Sequence, residues 1–469
     1  DMNPVEAKAH EQFGEWLERT VLAPLTKTGP VYRVVVLGLA LIVAWGIYAF
    51  SVQYRNGLIV TGMRDYVSWG LYIASFVFFI GISHAGTLIS AILRVTQAGW
   101  RTPVTRMAEF ITVVALSVGG LMPVIDMGRP ERVLYIIQWG RWSSPITWDI
   151  LAISTYLTGS AIYLFLPMIP DLALCRDRLG KKTSGFKRTL YRILSVGWKG
   201  SDGQKKSLFS GMGVMAILII PIAVSVHTVV SFIFAMTLRP GWNSTVYGIY
   251  FVAGAIYSGT ATLIIVMAVL RKAFHLEEYL TVKQFKNLGF IMAAFVLIMA
   301  YFNMLEFLVP GYKMAEGEGF LLERILVGQW APMYWAYVLF GLIVPGAIML
   351  IPKTRTIAWI VVASVFVNIA MAFERYLIVV PVMQVPLMPY AVPSYAPSWV
   401  ELSILAGALA GFALIIALFA KIFPVIAVWE VKEQHEAQHA VAAKAPELAQ
   451  ETASPDGGWK KIAGKYPAN

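Results

Sequence analysis

The chain has 469 residues, of which 58% are hydrophobic and only 14% are charged, and its formal net charge at pH 7 is +11. A soluble domain carries about 25% charged residues, so this composition excludes an ordinary soluble fold. The single cysteine, Cys175, excludes an internal disulfide and any iron–sulfur or zinc site built on thiolates from this chain alone.

Long apolar segments predict an all-α, multi-pass membrane protein. A helix crosses the bilayer with about 20 apolar residues. The polar stretch 1–30 predicts an amphipathic surface helix around Glu11–Leu22 rather than a cleavable signal peptide, and residues 428–469 predict a solvated tail. About ten spans are predicted between them, at 31–52, 66–93, 107–127, 145–168, 208–238, 245–271, 286–309, 331–352, 356–381 and 400–427.

The basic residues predict the orientation of these spans. Lys and Arg are concentrated in the loop 169–207, in the loop 272–286 and in the turn 353–355, whereas the loop 382–399 has neither. With ten spans, all the basic loops fall on one side, which the positive-inside rule makes cytoplasmic. Both termini are then predicted to be cytoplasmic. The positive charge is interpreted as a topology signal and a contact with anionic lipids of the bilayer, and no nucleic-acid partner is expected.

The second to fifth spans resemble the sixth to ninth. Residues 70–72 (Gly-Leu-Tyr) open the second span, and residues 248–250 (Gly-Ile-Tyr) open the sixth. Ser-Pro-Ile-Thr-Trp-Asp opens the fourth span at 144–149, and Ala-Pro-Met-Tyr-Trp-Ala opens the eighth at 331–336. An acidic residue also lies near the end of the third and of the seventh. Chance similarity between apolar helices is the alternative, but three matches in the same order favour a repeat.

An even number of spans in each copy predicts a parallel repeat, related by an axis along the membrane normal. We therefore predict two four-helix bundles, at 66–238 and 245–381, with single flanking helices at 31–52 and 400–427. The first bundle carries more charge near its helix ends, so the chemistry is expected there.

Ionisable side chains inside spans are costly and are usually functional or paired. Asp126 and Asp149 lie at the predicted outward ends of the third and fourth spans, where the second copy has Glu306 and an alanine. Asp126 is either a helix-end residue paired with Arg129 or Arg132, or a site residue. Asp149 either stabilises a helix N-terminus or accepts protons in a cavity of the bundle.

Two histidines lie within spans, His84 in the second and His227 in the fifth. A neutral imidazole can hydrogen-bond a quinone oxygen and exchange a proton near neutral pH. The alternatives are a hydrogen bond between helices and ligation of one haem b. The sequence leaves these three interpretations open.

Aromatic residues of the first bundle are candidates for an apolar pocket that suits a flat, lipid-soluble ring, although most aromatic residues in membrane helices only pack. The candidates are Trp69, Tyr72, Trp148 and Tyr156. Further ionisable residues predict a proton path. The alternative for Glu374 is that its neighbour Arg375 neutralises its charge. The path comprises His84, Glu109, Arg129, Glu306 and Glu374.

Two motifs carry a resemblance to a known family. Residues 126–130 (Asp-Met-Gly-Arg-Pro) and 144–148 (Ser-Pro-Ile-Thr-Trp) resemble the Asp-Leu-Gly-Arg-Pro and Ser-Pro-Met-Ser-Trp pattern of the NrfD/PsrC membrane subunits of polysulfide reductase-like enzymes. The ten spans, residues 70–72 and residues 226–232 (Val-His-Thr-Val-Val-Ser-Phe) are similar to the ActC subunits of bacterial alternative complex III. A paralogous subunit type, ActF, shares the fold. The resemblance covers nearly the whole chain apart from its tails.

The resemblance implies a subunit of a respiratory or photosynthetic complex in the bacterial cytoplasmic (inner) membrane. Such subunits bind and oxidise quinol, here expected to be menaquinol, at the outer side and hold no haem, iron–sulfur cluster or metal. Electrons would pass to an iron–sulfur protein subunit and on to multihaem c-type cytochrome subunits, beside a paralogous NrfD-like membrane subunit. Proton translocation is a secondary expectation.

The resemblance also implies that Asp149 belongs to the quinol site, together with residues of the fifth span around His227. The family pattern has an acidic residue where this chain has Ile233. The second proton acceptor is therefore expected to be His227 or Asp126.

The predicted function is quinol oxidation by a membrane subunit of an electron-transfer complex. A structural or proton-conducting scaffold subunit of the same complex is one alternative. A secondary transporter is another, since such proteins also combine repeats with charges at the midplane, but the spans lack paired Gly/Pro breaks at corresponding positions. A haem b anchor using His84 and His227 is the third.

Overall fold

The computed structural model describes residues 14–179, 183–388 and 391–431. All regular elements within these ranges are helices. Ten of the helices are long and apolar enough to cross a membrane, which confirms the predicted all-α membrane fold. They are α1 (Pro30–Asn56), α2 (Leu71–Val95), α3 (Thr102–Asp126), α4 (Pro145–Leu179), α5 (Asp202–Ala235), α6 (Tyr247–Ala273), α7 (Val282–Lys313), α8 (Ala331–Leu350), α9 (Ile357–Met383) and α10 (Trp399–Ile422).

Several helices continue beyond the predicted spans. α4 runs on to Leu179 rather than ending near residue 168, and α5 begins at Asp202, after the N-cap Ser201. α7 begins at Val282, where Thr281 and Gln284 form a capping box. The additional turns are polar, so hydropathy excluded them, although backbone hydrogen bonding continues through them.

The loops lie on two faces of the helical array. We call one of them the basic face. It carries the loops 96–101, 274–281 and 351–356 and the described residues 183–201 of the connection between α4 and α5. The opposite face carries the remaining connections, at 57–70, 127–144, 236–246, 314–330 and the described parts of 384–398. The basic face is the one predicted to be cytoplasmic from the charges of its loops.

α2 is the central helix, in contact with α3, α5, α6 and α9. Small residues let its neighbours approach closely. A Cβ added at Gly86 would overlap the Ala108 carbonyl and the Thr112 side chain of α3. The Thr112 hydroxyl donates a 2.7 Å hydrogen bond to the Ser83 carbonyl, which holds the two helices in register.

The contacts form two closed rings of helices. α2 contacts α3 and α5, and α4 contacts α3 and α5; likewise, α6 contacts α7 and α9, and α8 contacts α7 and α9. α2 and α5 also contact α6, which joins the rings. α1 and α10 pack against each other at Gly46 and Gly407, where an added Cβ would lie 2.9 Å from the facing Cα. An internal symmetry between the rings stays a prediction.

α8 has an irregular middle. Residues 338–343 form a π-helical turn just before Pro345, which has no N–H to donate to the Gly341 carbonyl. The Tyr257 hydroxyl of α6 donates to that carbonyl at 2.5 Å. A neighbouring helix therefore satisfies a backbone group that proline leaves open.

The ends of the described chain pack on the basic face. Residues 14–26 are helical, and their buried apolar residues include Leu17 and Val21; the predicted helix at 11–22 lies partly outside the described residues. The prediction that residue 428 begins a solvated tail is wrong, because Val428 and Glu430 are buried. Residues 432–469 of that tail lie outside the described residues.

Buried polar contacts hold the segment after α10. The Asp171 carboxylate accepts hydrogen bonds from the backbone N–H of Val428 at 3.2 Å and of Trp429 at 3.0 Å. Asp171 is also ion-paired with buried Arg106, which donates to the Ile426 carbonyl at 2.9 Å. Hydropathy cannot show such contacts because they join residues far apart in sequence.

Candidate functional site

The two predicted histidines meet at the centre of the first ring of helices. Because α2 packs against α5, the ring centroids of His84 and His227 lie 3.7 Å apart, with 53° between their planes. Both side chains are buried, and none of their four ring nitrogens has a hydrogen-bond partner among the described residues. Buried polar atoms without partners are rare and costly, so this pair marks a place for water or a polar ligand.

The geometry of the pair does not fit a haem held between the two imidazoles. Rings with centroids 3.7 Å apart are in van der Waals contact, at the roughly 3.5–4.0 Å typical of packed carbon atoms. Axial ligands lie on opposite sides of a porphyrin plane, which has no room between these rings.

Tyr156 of α4 packs against the histidine pair. Its ring lies 5.7 Å from the His84 ring in an edge-on arrangement. Its hydroxyl donates to the Ser83 carbonyl at 3.2 Å, which fixes the ring against α2. Of the predicted aromatic pocket residues, Tyr156 is therefore the one that contacts the histidine pair.

Asp149 is buried near the opposite-face end of α4. α4 begins at Pro145, so Asp149 lies beyond the N-cap position and cannot fill that role. One of its carboxylate oxygens, Oδ1, is buried and has no hydrogen-bond partner in the described part of the chain. Its neighbour Trp148 is half-buried and donates its indole N–H to the Trp142 carbonyl at 2.5 Å, which ties down the turn before α4.

Asp126 is the last residue of α3, and its Oδ1 is also buried with no hydrogen-bond partner among the residues that the structure describes. Arg129 is exposed, and within the described chain neither Arg129 nor Arg132 forms an ion pair with Asp126. The alternative that Asp126 pairs with a nearby arginine is therefore wrong for this structure. α3 and α4 pack together and place both Asp126 and Asp149 toward the opposite face.

Tyr72 and Trp69 make packing contacts near the opposite-face end of α2. The Tyr72 hydroxyl donates to Gln53 Oε1 at 2.6 Å, and the Gln53 amide donates to the Ile125 carbonyl at 2.8 Å, which joins α1, α2 and α3. The Trp69 ring lies 5.8 Å from both Phe234 and Trp242. Both side chains therefore have partners within the protein. Their place in a ligand pocket stays a prediction.

Glu109 lies in a buried polar chain on the basic-face side of the histidines. Ser90 Oγ donates to Glu109 Oε1 at 2.6 Å and lies 3.4 Å from the Tyr163 hydroxyl. The Arg94 guanidinium lies 6.0 Å from the centre of the Tyr163 ring and pairs with Glu430 at 3.2 Å. His84 and Ser90 are six residues apart on α2, about 9 Å along the axis. This row of polar side chains thus extends from the basic-face side of the histidine pair to the basic face.

Glu306 and Glu374 lie in a different place, a cavity of about 280 Å³ in the second ring of helices. Ser244 donates to Glu306 at 2.6 Å, and Glu374 pairs with Arg375 at 3.3 Å. The Tyr337 hydroxyl also lines the cavity and has no partner among the described residues. The structure therefore places Glu306 and Glu374 apart from His84 and Glu109, which lie in the first ring of helices.

The sequence did not single out Ser90, Tyr163 or Tyr337. Ser90 and Arg94 are four residues apart and share one face of α2, which is the one available signal. Serine and tyrosine are too common in membrane helices for a single occurrence to predict a site.

Comparison with known proteins places the chain in a family. The family described as polysulphide reductase, NrfD, matches residues 59–386. A putative membrane subunit of the dimethyl sulfoxide reductase of Halobacterium salinarum is 27% identical over 340 residues, 72% of this chain and 74% of that protein. A selenate reductase subunit of Mesobacillus selenatarsenatis is 24% identical over 359 residues, 74% of this chain and 82% of that protein.

A third relative covers more of the chain. The Hdr-like menaquinol oxidoreductase integral membrane subunit of Archaeoglobus fulgidus is 25% identical over 429 residues, 86% of this chain and 96% of that protein. The match to the family extends from before α2 to the end of α9 and so contains both rings of helices. This chain is therefore a multi-pass membrane protein that belongs to the NrfD polysulphide reductase family.

Proposed function

We propose that the chain is the quinol-oxidising membrane subunit of an electron-transfer complex. The relatives are subunits of a dimethyl sulfoxide reductase, a selenate reductase and a menaquinol oxidoreductase, which supports membership of an oxidoreductase complex. The observation that carries the proposal is the buried pair His84 and His227, whose nitrogens have no partner among the described residues. We propose menaquinol as the substrate.

Oxidation of one quinol to quinone releases two electrons and two protons. In the proposed reaction quinol enters the first ring of helices laterally from the bilayer, and its hydroxyls donate hydrogen bonds to His227 and to the Asp149 carboxylate. These two groups accept the protons as the electrons leave. Tyr156 fixes the position of His84, which contacts His227.

Protons would leave toward the opposite face. Asp126 lies on the same side as Asp149 and carries a carboxylate oxygen that has no partner within the described ranges, and exposed Arg129 follows it three residues later. A second route, from His84 through Ser90 and Glu109 toward the basic face, is proposed for protons that cross the membrane.

The electrons would pass to an iron–sulfur protein subunit and then to multihaem c-type cytochromes, with a paralogous NrfD-like membrane subunit in the same complex. This finer assignment, an ActC-type subunit of alternative complex III, rests on the motifs at 126–130, 144–148 and 226–232. We further propose the bacterial cytoplasmic membrane as its location, with both termini cytoplasmic and the opposite face outside.

Quinone content tests the proposal. The complex is purified in mild detergent, its lipids are extracted and assayed for quinone, and a visible spectrum is recorded for this chain in isolation. We expect one quinone per active complex and no haem bands from this chain. An active complex without quinone would favour the scaffold alternative, and a b-type haem spectrum from this chain would contradict the proposal.

A further inference from the structure

A large groove lies at the basic face, between α6 and the α1–α10 pair. Its volume is about 1150 Å³, larger than the roughly 300–1,000 Å³ of pockets for drug-sized ligands. No residue of the histidine pair, its polar chain or the Glu306 cavity lines it. The groove is therefore a separate feature from the proposed quinol site.

The groove extends about as deep as one leaflet of a bilayer. Its deepest lining residues are Leu39 of α1, Thr262 of α6 and Phe412 of α10. Along each helix they lie eight to eleven residues from the outermost lining residue, which is Val31 in α1, Ala273 in α6 and Lys421 in α10, or roughly 15 Å at the helical rise. Half of a hydrocarbon core of about 30 Å is the same length.

The side chains that line the groove are apolar in its inner part and charged at its outer end. Apolar side chains line its inner part, among them Val35, Val266 and Ile416. Arg19 and Lys27 lie at its outer end, where both are exposed and neither forms an ion pair with a described residue. Apolar walls inside and free cations at the membrane surface are complementary to a lipid with a negatively charged head group.

Other groups at the outer end locate the membrane surface. Trp16 and Tyr279 pack with their ring centroids 6.3 Å apart. The Nζ atom of Lys421 lies over the ring of Tyr32, 4.9 Å from the centre of that ring. Aromatic residues of this kind are enriched at the level of lipid head groups. Lys421 is already engaged, since it donates to the backbone carbonyls of Pro24 at 2.7 Å and Lys27 at 2.6 Å.

Glu277 and Glu278 also lie at the outer end, together with His275. Counting Arg19, Lys27 and Lys421 against these two carboxylates leaves an excess of one positive charge when the histidine is neutral. The carboxylates reduce the attraction for an anion without reversing it.

We propose that the groove binds an anionic phospholipid, with acyl chains between α1, α6 and α10 and the phosphate at Arg19 and Lys27. Residues of the 16–27 segment form the outer wall, so this wall would block a membrane-spanning helix from another protein of the complex. The bound lipid fills the space between α6 and the α1–α10 pair and joins this pair to the two rings.

The test uses the intact purified complex and a phosphatidylglycerol that carries a photoreactive diazirine in its acyl chain. We expect labelling of peptides that contain Val35, Val266 or Ile416, and competition by unlabelled phosphatidylglycerol but not by phosphatidylcholine. The double variant Arg19→Glu/Lys27→Glu should reduce labelling by about tenfold or more, since each basic residue near the surface contributes about 1 kcal/mol.

Arg33→Glu is the matched control, because Arg33 is exposed on the same end of α1 but does not line the groove. Its labelling should stay at the wild-type level. Equal competition by both lipids in the wild-type complex would overturn the proposal whether or not the variants fold. The proposal would also be overturned if the groove were not labelled because another protein of the complex covers it.

Discussion

The imidazoles of His84 and His227 are in contact, with 3.7 Å between ring centroids, although 143 residues of sequence separate them. The contact joins α2 to α5 at the point where four buried nitrogens have no partner among the described residues. A ligand that hydrogen-bonds one ring must therefore affect the position of the other. The two histidines are expected to act as one unit.

Replacement of the histidines tests that expectation. His227→Gln should lower kcat/KM for quinol about a hundredfold or more, since a proton acceptor contributes roughly 10²–10⁴. His84→Gln should lower it less, because His84 acts through His227. If the pair is one unit, the double variant should be no slower than His227→Gln. Multiplied effects in the double variant, measured by steady-state kinetics, would show that the histidines act independently.

Glu109 is expected to serve protons that cross the membrane rather than quinol oxidation itself. In Glu109→Gln the amide oxygen still accepts the hydrogen bond from Ser90, which is 2.6 Å long in the structure, but the side chain no longer carries a proton. Complexes in vesicles should oxidise quinol normally and release fewer protons per quinol.

Glu131→Gln, at an exposed position on the opposite face, is the control for Glu109→Gln. Its proton yield, followed with a pH-sensitive dye, should equal that of the wild type. An unchanged yield in Glu109→Gln would remove this residue from the proposed path.

Gly86 sets the distance between α2 and α3. Gly86→Ala should destabilise the protein by about 1–3 kcal/mol, the usual cost of overpacking, because the new Cβ meets the backbone of Ala108. Gly120→Ala in α3 is the matched control, since its added Cβ meets no atom within 4 Å. Thermal unfolding in detergent should separate the two variants, and equal melting temperatures would contradict the close approach of the helices.

The ion pair of Arg106 and Asp171 holds the segment after α10. Asp171→Asn should destabilise the protein by about 3–5 kcal/mol, because it leaves a buried guanidinium without its counter-charge. Trypsin should also release the C-terminal end faster, since the Val428 and Trp429 amides donate to different oxygens of Asp171 and asparagine keeps only one of them.

Asp177→Asn is the control for Asp171→Asn. Asp177 is 64% exposed and pairs with its neighbour Arg176 at 2.7 Å, and such surface pairs contribute about 0–1 kcal/mol. Comparable melting temperatures and cleavage rates for the two variants would show that the buried pair does not anchor the segment.

Hydropathy was sufficient to predict the ten membrane helices, because each needs a long apolar stretch whatever its neighbours are. It could not predict that the segment 426–430 packs on the protein. Glu430 resembles a residue of a solvated tail in sequence but is buried beside Arg94. Trp429 is partly buried and is held by Asp171, which, like Arg94, belongs to another helix.

The candidate site was predictable in its residue types but not in its arrangement. His84, His227 and Asp149 were selected because polar groups in spans are costly. The contact between the histidines depends on the packing of α2 against α5, which no periodicity encodes. For the same reason the sequence could not show that Glu306 and Glu374 line a separate cavity.

Quinol oxidation by the Asp149→Asn variant is the measurement that decides whether Asp149 accepts a proton from quinol, with Asp177→Asn as the control. Turnover of purified complexes is measured with a menaquinol analogue, and gel electrophoresis of the same samples shows whether every protein of the complex is present. We expect a fully assembled Asp149→Asn complex whose turnover is lower by about a hundredfold or more, and an unaffected Asp177→Asn complex. Normal turnover in an assembled Asp149→Asn complex would show that Asp149 is not the proton acceptor.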